Sequence, residues 1–272
     1  MQDFKKLHDK TNPLLLPNVW DAASARVIES CGFKAIATSS AALAWSLGHP
    51  DGEQLPFDEL IAAVARIVRI VEIPVSADIE SGYATTTDAL LENVDKIKKA
   101  GAVAINLEDY DQKTGFLFPL EMARERVAKV KERFGDSLFV NARTDMYLQE
   151  IGGAEERLDA AAERITAFAD AGADGVFVPG VSDGPTIAAL TASSETPLNI
   201  LAGADTPSVD ALRGLGVARV SLGIALARIM LGETRAIGQT LLRTGEFSFA
   251  ANPRAMSFSE ANGLFGNSSQ SV

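Results

Sequence analysis

The stretch IKKAGAVAINLEDY, residues 97–110, shows on a small scale the pattern that recurs along the whole chain. Its first residues close a predicted helix, and Gly101 is the residue type expected just after a helix C-terminus. Residues 104–108 form a short apolar run, which is typical of a buried strand. The run ends in Glu108 and Asp109. The stretch therefore predicts a helix, a glycine stop and a buried strand that carries acidic side chains at its end.

Predicted strands and helices alternate in this way eight times along the chain, and a glycine follows several of the helices. Strands are predicted at residues 14–18, 34–38, 75–78, 104–108, 139–143, 175–179, 198–201 and 219–222. Helices are predicted at residues 21–31, 57–71, 86–100, 120–134, 154–171, 183–192, 208–215 and 224–244. Alternating strands and helices indicate a parallel sheet, and eight units favour an α/β fold of the (β/α)8 TIM-barrel type. An open, doubly wound sheet of eight strands fits the same periodicity.

The chain is expected to form a single barrel domain over residues 1–266 with a C-terminal helical extension. Barrels of about this size commonly fold as one domain. Residues 247–265 contain several phenylalanines among polar residues and predict an extra helix after the barrel. Residues 267–272 are polar and rich in serine, so they are expected to be a disordered tail.

Composition excludes several classes of partner. The 272 residues carry a net charge of −11 with a pI near 4.7, and no cluster of Lys and Arg is present. Nucleic acid and anionic membranes are therefore not expected as partners. Cys31 is the single cysteine, the N-terminus has no apolar core of a signal peptide, and the longest apolar stretch, residues 60–75, is interrupted by charges. These features predict a cytoplasmic protein.

Charged side chains follow three consecutive predicted strands, at the end of a barrel where catalysis takes place. Asp78 and Glu80 end the third strand, Glu108 the fourth and Arg143 the fifth. If the strands stay extended, residues two apart point to the same side, so Asn106 accompanies Glu108 and these charges share one mouth. Several carboxylates in one dry site need a cation, and oxygen ligands suit Mg²⁺.

Other chemistry is limited by what the sequence contains. With His8 and His49 as its two histidines, the chain cannot build a histidine-rich zinc or iron site, which leaves Mg²⁺ or the alternative Mn²⁺. No predicted strand interior contains a lysine for a Schiff base. Arg143 suits a bidentate grip on a substrate carboxylate, although it can instead neutralise Glu108. A structural ion-pair network at the barrel rim remains an alternative reading of the cluster.

The residues of five stretches resemble the isocitrate lyase and phosphoenolpyruvate mutase superfamily, along nearly the whole chain. The matching stretches are residues 17–26, 38–51, 77–83 (Ala-Asp-Ile-Glu-Ser-Gly-Tyr), 106–109 (Asn-Leu-Glu-Asp) and 141–145 (Asn-Ala-Arg-Thr-Asp). The resemblance implies a (β/α)8 barrel whose projecting eighth helix is exchanged with a neighbour in a homotetramer or dimer. It also implies an enzyme that acts on small 2-oxo or 2-hydroxy carboxylates.

The resemblance further implies roles for individual residues. Asp78 is similar to the acid that binds Mg²⁺ most directly, and Asp51, Glu80 and Glu108 are similar to those that hold its waters. Arg143 is similar to the arginine on the substrate carboxylate. The turn that binds the 2-oxo carboxylate corresponds to Ser39, Ser40 and Ala41. Arg143, Asp51 and Lys113 are the candidate catalytic residues.

The loop after the fourth strand departs from the best-known members. The lyases carry a Lys-Lys/Arg-Cys-Gly-His motif there, and the mutases a Lys and an Asn, whereas residues 110–119 read Tyr-Asp-Gln-Lys-Thr-Gly-Phe-Leu-Phe-Pro. Without the cysteine, isocitrate or methylisocitrate cleavage is expected to be slow, and Lys113 remains as a proton carrier. Gly115 and the apolar residues after it predict a mobile gate, with a static, packed loop as the alternative.

These observations favour a Mg²⁺-dependent lyase that breaks a C–C bond beside a carbonyl, by retro-aldol cleavage or decarboxylation. P–C bond chemistry on a phosphonate is the first alternative, and a non-catalytic 2-oxo acid binding protein is the second. Asn199 and Ser221, at the ends of the last two strands, are candidates for contact with the distal part of a substrate, with packing or capping as the alternative. Trp20 is a further candidate, with a core position as its alternative.

Overall fold

Parallel strands close into a barrel in the computed structural model, which describes residues 2–266. The main sheet has nine strands in the order β1-β11-β10-β9-β8-β5-β4-β3-β2. Its strands are β1 Leu14–Leu16, β2 Asn18–Val19, β3 Ile36–Thr38, β4 Val75–Asp78, β5 Ala104–Glu108, β8 Phe139–Arg143, β9 Gly175–Phe177, β10 Leu198–Leu201 and β11 Arg219–Ser221. A separate hairpin consists of β6 Tyr110–Asp111 and β7 Phe116–Leu117.

The first predicted strand is divided at Pro17 into β1 and β2. β1 pairs with β11 and β2 pairs with β3, so the two ends of the sheet meet at the proline. A proline cannot donate to a strand ladder, which explains the break. This closure excludes the open, doubly wound alternative, and the TIM-type barrel is confirmed.

Eleven helices surround and extend the barrel in the described residues. They are α1 Gln2–Lys6, α2 Ala22–Ser30, α3 Ser40–Ser46, α4 Phe57–Ile70, α5 Thr87–Lys99, α6 Leu120–Phe134, α7 Arg157–Asp170, α8 Gly184–Ser193, α9 Val209–Gly214, α10 Ala225–Thr244 and α11 Phe258–Gly263. All eight predicted helices are present within a few residues of their expected bounds. The short helices α1 and α3 are not among the predictions, because each is too brief to show a helical period.

The core lies between the sheet and its helices, with a smaller cluster at the N-terminal end of the barrel. The main cluster contains side chains such as Val64, Ile105 and Val140, all buried. At the N-terminal end, Phe4 of α1 packs edge-to-face on Phe139, with ring centroids 5.3 Å apart. Helix α1 therefore covers the end of the barrel opposite the predicted acidic mouth.

Helix α10 projects from the barrel, as predicted for the eighth helix. Across its 20 residues, Ala227 is the buried side chain, whereas Ile229, Leu231 and Leu242 are 63%, 45% and 91% exposed. The predicted extra helix is shorter than expected, because residues 247–265 form a 3-10 turn and then α11. Arg26 Nε donates to the carbonyl oxygen of Leu264 at 2.6 Å, which holds this segment beside α2.

The C-terminal tail and the membrane question remain to be compared with the sequence expectations. The predicted disordered tail, residues 267–272, lies outside the described residues. None of the described helices combines the length and the apolar character that a membrane span requires.

Candidate active site

Strand β4 delivers Asp78 to the C-terminal mouth of the barrel. The backbone N–H of Asp78 donates to Thr38 Oγ1 at 2.8 Å, which ties the end of β4 to β3. Its carboxylate Oδ2 accepts a hydrogen bond from Ser40 Oγ at 2.9 Å. Ser40 begins α3, which is capped by the Ser39 side chain. The serines of the predicted carboxylate-binding turn thus lie beside the predicted metal ligand.

A strained turn follows β4 and orients Glu80. Glu80 and Tyr83 have positive φ values of 51° and 53°, and Gly82 lies at 94°. A left-handed non-glycine residue costs roughly 1–3 kcal/mol and persists where surrounding contacts hold it. Here Glu80 Oε2 accepts from the Glu53 backbone N–H at 2.7 Å, and Oε1 accepts from the Tyr83 hydroxyl at 2.8 Å. Glu80 therefore reaches the mouth through this turn and not through the strand alternation that the sequence predicted.

Arg143 bridges two acids at the ends of neighbouring strands. Glu108 and Arg143 are register partners, and Arg143 Nη1 lies 3.1 Å from Glu108 Oε2. The Nε and Nη2 atoms of Arg143 donate to the two oxygens of Asp145 at 2.5 and 2.9 Å. Arg143 is therefore a counter-charge for Glu108, as the alternative interpretation holds. The same side chain also lines both cavities of the mouth, described next.

Two adjoining cavities occupy the mouth. One of about 180 Å³ is lined in part by Asp78, Asn106 and Ser221. The other, of about 310 Å³, is lined in part by Glu80 and Glu108. Four residues line both cavities and so join them: Ser40, Asp51, Arg143 and Leu148. The acids and the arginine that the sequence groups together therefore surround one continuous space.

The carboxylates of the mouth carry more negative charge than their surroundings balance. Burial, with Asp78 nearby, raises the pKa of Asp51 above its usual range. Burial and the charges of Asp78 and Asp51 raise the pKa of Glu80 to about 8, although the Tyr83 hydroxyl opposes the rise. Burial also raises the pKa of Glu108, against the opposing charge of Arg143. A bound cation would relieve this repulsion.

The donor set fits a hard cation such as Mg²⁺, which prefers oxygen ligands and keeps several waters. Asp78, Glu80, Glu108 and Asp51 are the residues that would hold it. In the side chains described here, no three His, Cys, Asp or Glu groups already form a cluster around one point. The chain thus offers carboxylates around an open cavity, which has room for a cation bound through few direct ligands and several waters.

The structure brings most of the predicted site residues together and leaves three apart. Ser39, Ala41 and Ser221 line the cavity with Asp78 and Arg143. The three that lie elsewhere are Lys113, Trp20 and Asn199. Exposed Lys113 lines a separate cavity of about 290 Å³, Trp20 packs against the main core, and buried Asn199 donates to Ser221 Oγ at 3.2 Å.

Sequence reasoning missed several residues of the mouth. Trp45 and Leu148 line the cavity, and nothing in the local pattern marks them because each is an ordinary apolar residue of a helix or a loop. Glu53 accepts from Ser81 Oγ at 2.6 Å and from the Tyr83 N–H at 2.9 Å, and so supports the strained turn. Asp145 stands in a stretch that carries the resemblance, and its position two residues after Arg143 is the sequence signal that could have indicated their pairing.

The loop after β5 is a short hairpin whose residues have unequal environments. Phe118 is buried, its ring lies 4.8 Å from the Arg126 guanidinium, and its carbonyl accepts from Arg164 Nη2 at 3.1 Å. Phe116 is 69% exposed, and Gly115 has a φ of 73° at the tip. The base of the hairpin is therefore packed, as expected for a static loop. At the tip, Phe116 is exposed to solvent and is not packed in this way.

Comparison with known proteins agrees with this geometry. A phosphoenolpyruvate phosphomutase family model matches residues 4–242. A protein of Burkholderia cenocepacia J2315 with a solved structure is 33% identical, with a TM-score of 0.89 over 98% of this chain and 95% of that one. Oxaloacetate decarboxylase 2 of Pseudomonas putida is 32% identical over 68% of this chain and 61% of its own.

A more distant structure shares the fold alone. Phosphonopyruvate hydrolase, solved as a complex with oxalate and Mg²⁺, is 23% identical, with a TM-score of 0.84 over 97% of this chain and 93% of that one. The family comprises C–C lyases and mutases that act on small carboxylates. The chain therefore belongs to the phosphoenolpyruvate phosphomutase family, in the phosphoenolpyruvate mutase and isocitrate lyase superfamily.

Proposed function

We propose that this protein is a Mg²⁺-dependent lyase that cleaves a C–C bond of a small 2-oxo or 2-hydroxy di- or tricarboxylic acid, by retro-aldol cleavage or decarboxylation. One observation carries the proposal: Asp51, Asp78 and Arg143 line the same cavity of about 180 Å³ as the Ser39–Ala41 turn. Acids for a cation and donors for a carboxylate therefore surround a space suited to a small acid.

The chain's own residues would bind and orient the substrate. Arg143 and the backbone N–H groups of the Ser39–Ala41 turn would hold the 2-oxo carboxylate, since a planar guanidinium matches a carboxylate in two hydrogen bonds. When bound, Mg²⁺ supplies positive charge that stabilises the enolate left by the breaking bond. Asp51, Glu80 and Glu108 would orient the waters around the cation. Decarboxylation needs no general base for the bond that breaks, which suits a mouth without a nearby Lys113.

The hairpin favours this chemistry over the alternatives. Its residues 110–119 offer no Cys or His for the proton route of isocitrate cleavage and no Asn for a phosphoryl group. The similarity to an oxaloacetate decarboxylase supports C–C bond chemistry. P–C bond chemistry stays the second candidate, because a phosphonopyruvate hydrolase shares the fold. The uncompensated acidic cluster argues against a non-catalytic binding protein, because such a cluster lowers stability and is typical of an active site.

A substrate panel tests the proposal. The purified full-length chain is incubated with Mg²⁺ or Mn²⁺ and with oxaloacetate, 2-alkylmalates, isocitrate, methylisocitrate or phosphonopyruvate. Pyruvate, glyoxylate, CO₂ and phosphate are measured as products, with the Asp78→Ala variant as the blank for contaminating enzymes. Metal-dependent release of pyruvate, glyoxylate or CO₂ without phosphate supports the lyase. Release of phosphate would favour the P–C alternative, and silence across the panel would favour the binding protein.

We also propose that the protein is a homo-oligomer that exchanges α10, and that it is cytoplasmic. Exposed apolar side chains on α10 and on the segment after it support the first proposal, with Leu242 at 91% and Phe258 at 86% exposure. Sedimentation at several concentrations tests it. A wild-type dimer or tetramer that becomes monomeric in Leu242→Glu supports exchange, whereas a monomeric wild type contradicts it. The single cysteine and the acidic composition support the second.

A further inference from the structure

The cavity that Asp78 lines is also lined by an amide, that of Asn106, whose NH₂ group donates to no other residue within 2–266. Asn106 belongs to β5, and its register partners are Asp78 on one side and Asn141 on the other. Register partners in a parallel sheet point to the same face, so the three side chains form one row inside the barrel. Asn106 is 4% exposed and lines the cavity.

Two donors fix the orientation of this amide. Asn141 Nδ2 donates to Asn106 Oδ1 at 2.8 Å, and Arg219 Nη2 donates to the same oxygen at 3.2 Å. The Arg219 guanidinium can only donate, so a flipped Asn106 amide would place its NH₂ group against another donor, and this contact sets the orientation of both amides. Asn106 Nδ2 donates to none of the described residues. Asn141 Oδ1 and Asn199 Oδ1 are fully buried and have no partner in the described part of the chain. Asn106 Nδ2 is not fully buried in this way, so it contacts the cavity that Asn106 lines.

A second asparagine in the same cavity provides the contrast. Asn18 Nδ2 donates to the Thr38 carbonyl at 2.9 Å, and Asn18 Oδ1 accepts from the N–H groups of Leu222 and Gly223 at 2.9 and 2.8 Å. Both ends of that amide are used to hold the strand ends together. Asn18 is therefore structural, whereas Asn106 keeps two N–H bonds for a ligand.

Arg219 makes the Asn106 NH₂ group a stronger hydrogen-bond donor, because it binds the oxygen of the same amide. Its side chain is 1% exposed, and its Nε and Nη1 atoms have no partner among the described residues. This guanidinium pulls electron density from the Asn106 carbonyl oxygen through their hydrogen bond, which makes the amide N–H a better donor. Its charge also attracts an anion to the bottom of the cavity.

We propose that Asn106 is a substrate-binding residue, whose Nδ2 group donates to an anionic oxygen of the acid bound between Asp78 and Arg143. This inference rests on the proposed function, because it takes a small 2-oxo acid as the occupant. The Asn141 and Arg219 side chains act as positioning residues for that donor. The base of the cavity thus selects a hydrogen-bond acceptor at this point of the ligand.

Binding of oxalate, a stable analogue of the enolate of a 2-oxo acid, tests the assignment. Calorimetry on the Mg²⁺-loaded full-length protein compares the wild type with Asn106→Asp and Asn106→Ala. Asp has nearly the same shape and still accepts from Asn141 and Arg219, but it removes the donor. Ala removes the donor without adding charge. Asn262→Ala, on the exposed surface of α11, is the matched control.

Both Asn106 variants should weaken oxalate on the order of tenfold to a hundredfold, since a hydrogen bond to a charged group is lost. Asn262→Ala should bind as the wild type does, and Asn106→Ala should keep the Mg²⁺ affinity measured without oxalate and a Tm near the wild-type value. Unchanged oxalate binding in Asn106→Ala overturns the donor role, even if Asn106→Asp is weakened by its charge. Parallel loss of Mg²⁺ binding in Asn106→Ala would make the residue structural.

The two proposals fail in different ways. If the wild type binds oxalate but turns over no acid in the panel, the proposed lyase function is wrong. The oxalate affinities of the variants would still measure the role of Asn106. A wild type that binds no oxalate with Mg²⁺ overturns both.

Discussion

The two ends of the barrel both bury carboxylates, but they balance the charge differently. At the N-terminal end, Asp174 accepts from Lys5 Nζ at 2.8 Å, from Lys131 Nζ at 2.6 Å and from the Val140 N–H at 3.0 Å. At the C-terminal end, five acids line the cavities with Arg143: Asp51, Asp78, Glu80, Glu108 and Asp145. The buried carboxylate at the N-terminal end has two lysine partners, whereas the C-terminal mouth has a surplus of acids.

The difference separates a structural acid from a functional one. A buried carboxylate that is paired from several sides is costly to break and contributes to the stability of the fold. A surplus of buried acids destabilises the folded chain and is retained where a cation or a reaction requires it. In a TIM barrel the second arrangement belongs at the C-terminal mouth, where these acids lie.

The largest expected effect is the loss of metal binding in Asp78→Ala. Calorimetry should show Mg²⁺ binding in the wild type, with or without a 2-oxo acid, and a loss beyond about a hundredfold in the variant. Asp174→Asn removes an acid from the opposite end and should keep the wild-type affinity. Undiminished Mg²⁺ binding in Asp78→Ala would show that the metal binds elsewhere, and the two ends of the barrel would then not differ in the way proposed.

The second effect concerns Arg143, the one cationic side chain among the described residues that line the two cavities. Arg143→Lys should harm 2-oxo acid binding or turnover nearly as much as Arg143→Ala, by about 2–5 kcal/mol, because an ammonium cannot reproduce the planar fork. Oxalate titration and kcat/KM measure it. If Lys restores most of the function, Arg143 serves as a local counter-charge for Glu108 and Asp145 alone.

A third test compares stability at the two ends in the absence of metal. Asp174→Asn should lower the free energy of unfolding by about 3 kcal/mol, since two lysines lose a buried partner. Glu80→Gln keeps the shape and can still bond to Glu53 N–H and Tyr83, but the folded chain no longer has to bury a charge or take up a proton at a carboxyl whose pKa is raised to about 8. At neutral pH it should therefore raise that free energy by about 1 kcal/mol. Urea unfolding in EDTA measures both. Equal losses in the two variants would contradict the distinction drawn here.

A fourth effect is a pH dependence that belongs to the N-terminal end. His8 stacks on Phe139, with ring centroids 4.3 Å apart, and burial, aided by the Arg219 charge, lowers its pKa from 6.5 to about 3. Between these values the unfolded chain binds a proton that the folded chain does not. Stability from this group is therefore present above pH 6.5 and lost as the pH falls, by up to about 1.4 kcal/mol per unit.

The His8→Gln variant isolates this effect. Its unfolding free energy should fall less steeply than that of the wild type between pH 6.5 and 4, whereas His49→Gln, at the opposite end, serves as the control. Identical slopes in His8→Gln and the wild type would show that His8 accepts a proton without unfolding.

The smallest effect is expected at the hairpin beside the mouth. Phe118 N–H donates to the Asp109 carbonyl at 2.7 Å at its base, whereas residues 113–116 at its tip are exposed. Hydrogen exchange at the tip should slow severalfold when Mg²⁺ and oxalate bind, while the base changes little. Isocitrate and methylisocitrate cleavage should remain slow. Robust cleavage of either substrate would indicate that Tyr110 or Lys113 performs the proton transfer. Unchanged hydrogen exchange at the tip would show that the loop is static.

The sequence by itself determined the barrel and most of its mouth. Eight strand–helix units, several of which have a glycine after the helix, predict closed βα packing because each amphipathic helix must cover one strand. Asp78, Glu108 and Arg143 could be grouped because parallel strands present their carboxyl ends at one edge. The residues of this group are local to their strands, so strand position was enough.

Only the tertiary structure decided how the remaining side chains meet. Glu80 reaches the mouth through a left-handed turn held by Glu53, which lies 27 residues away in the chain, and no local pattern encodes that contact. Lys113 and Trp20 lie near the site in sequence but face another cavity and the core. The free donor of Asn106 depends on Arg219, 113 residues further along, because hydrogen bonds inside a closed barrel join strands that meet only when the sheet closes.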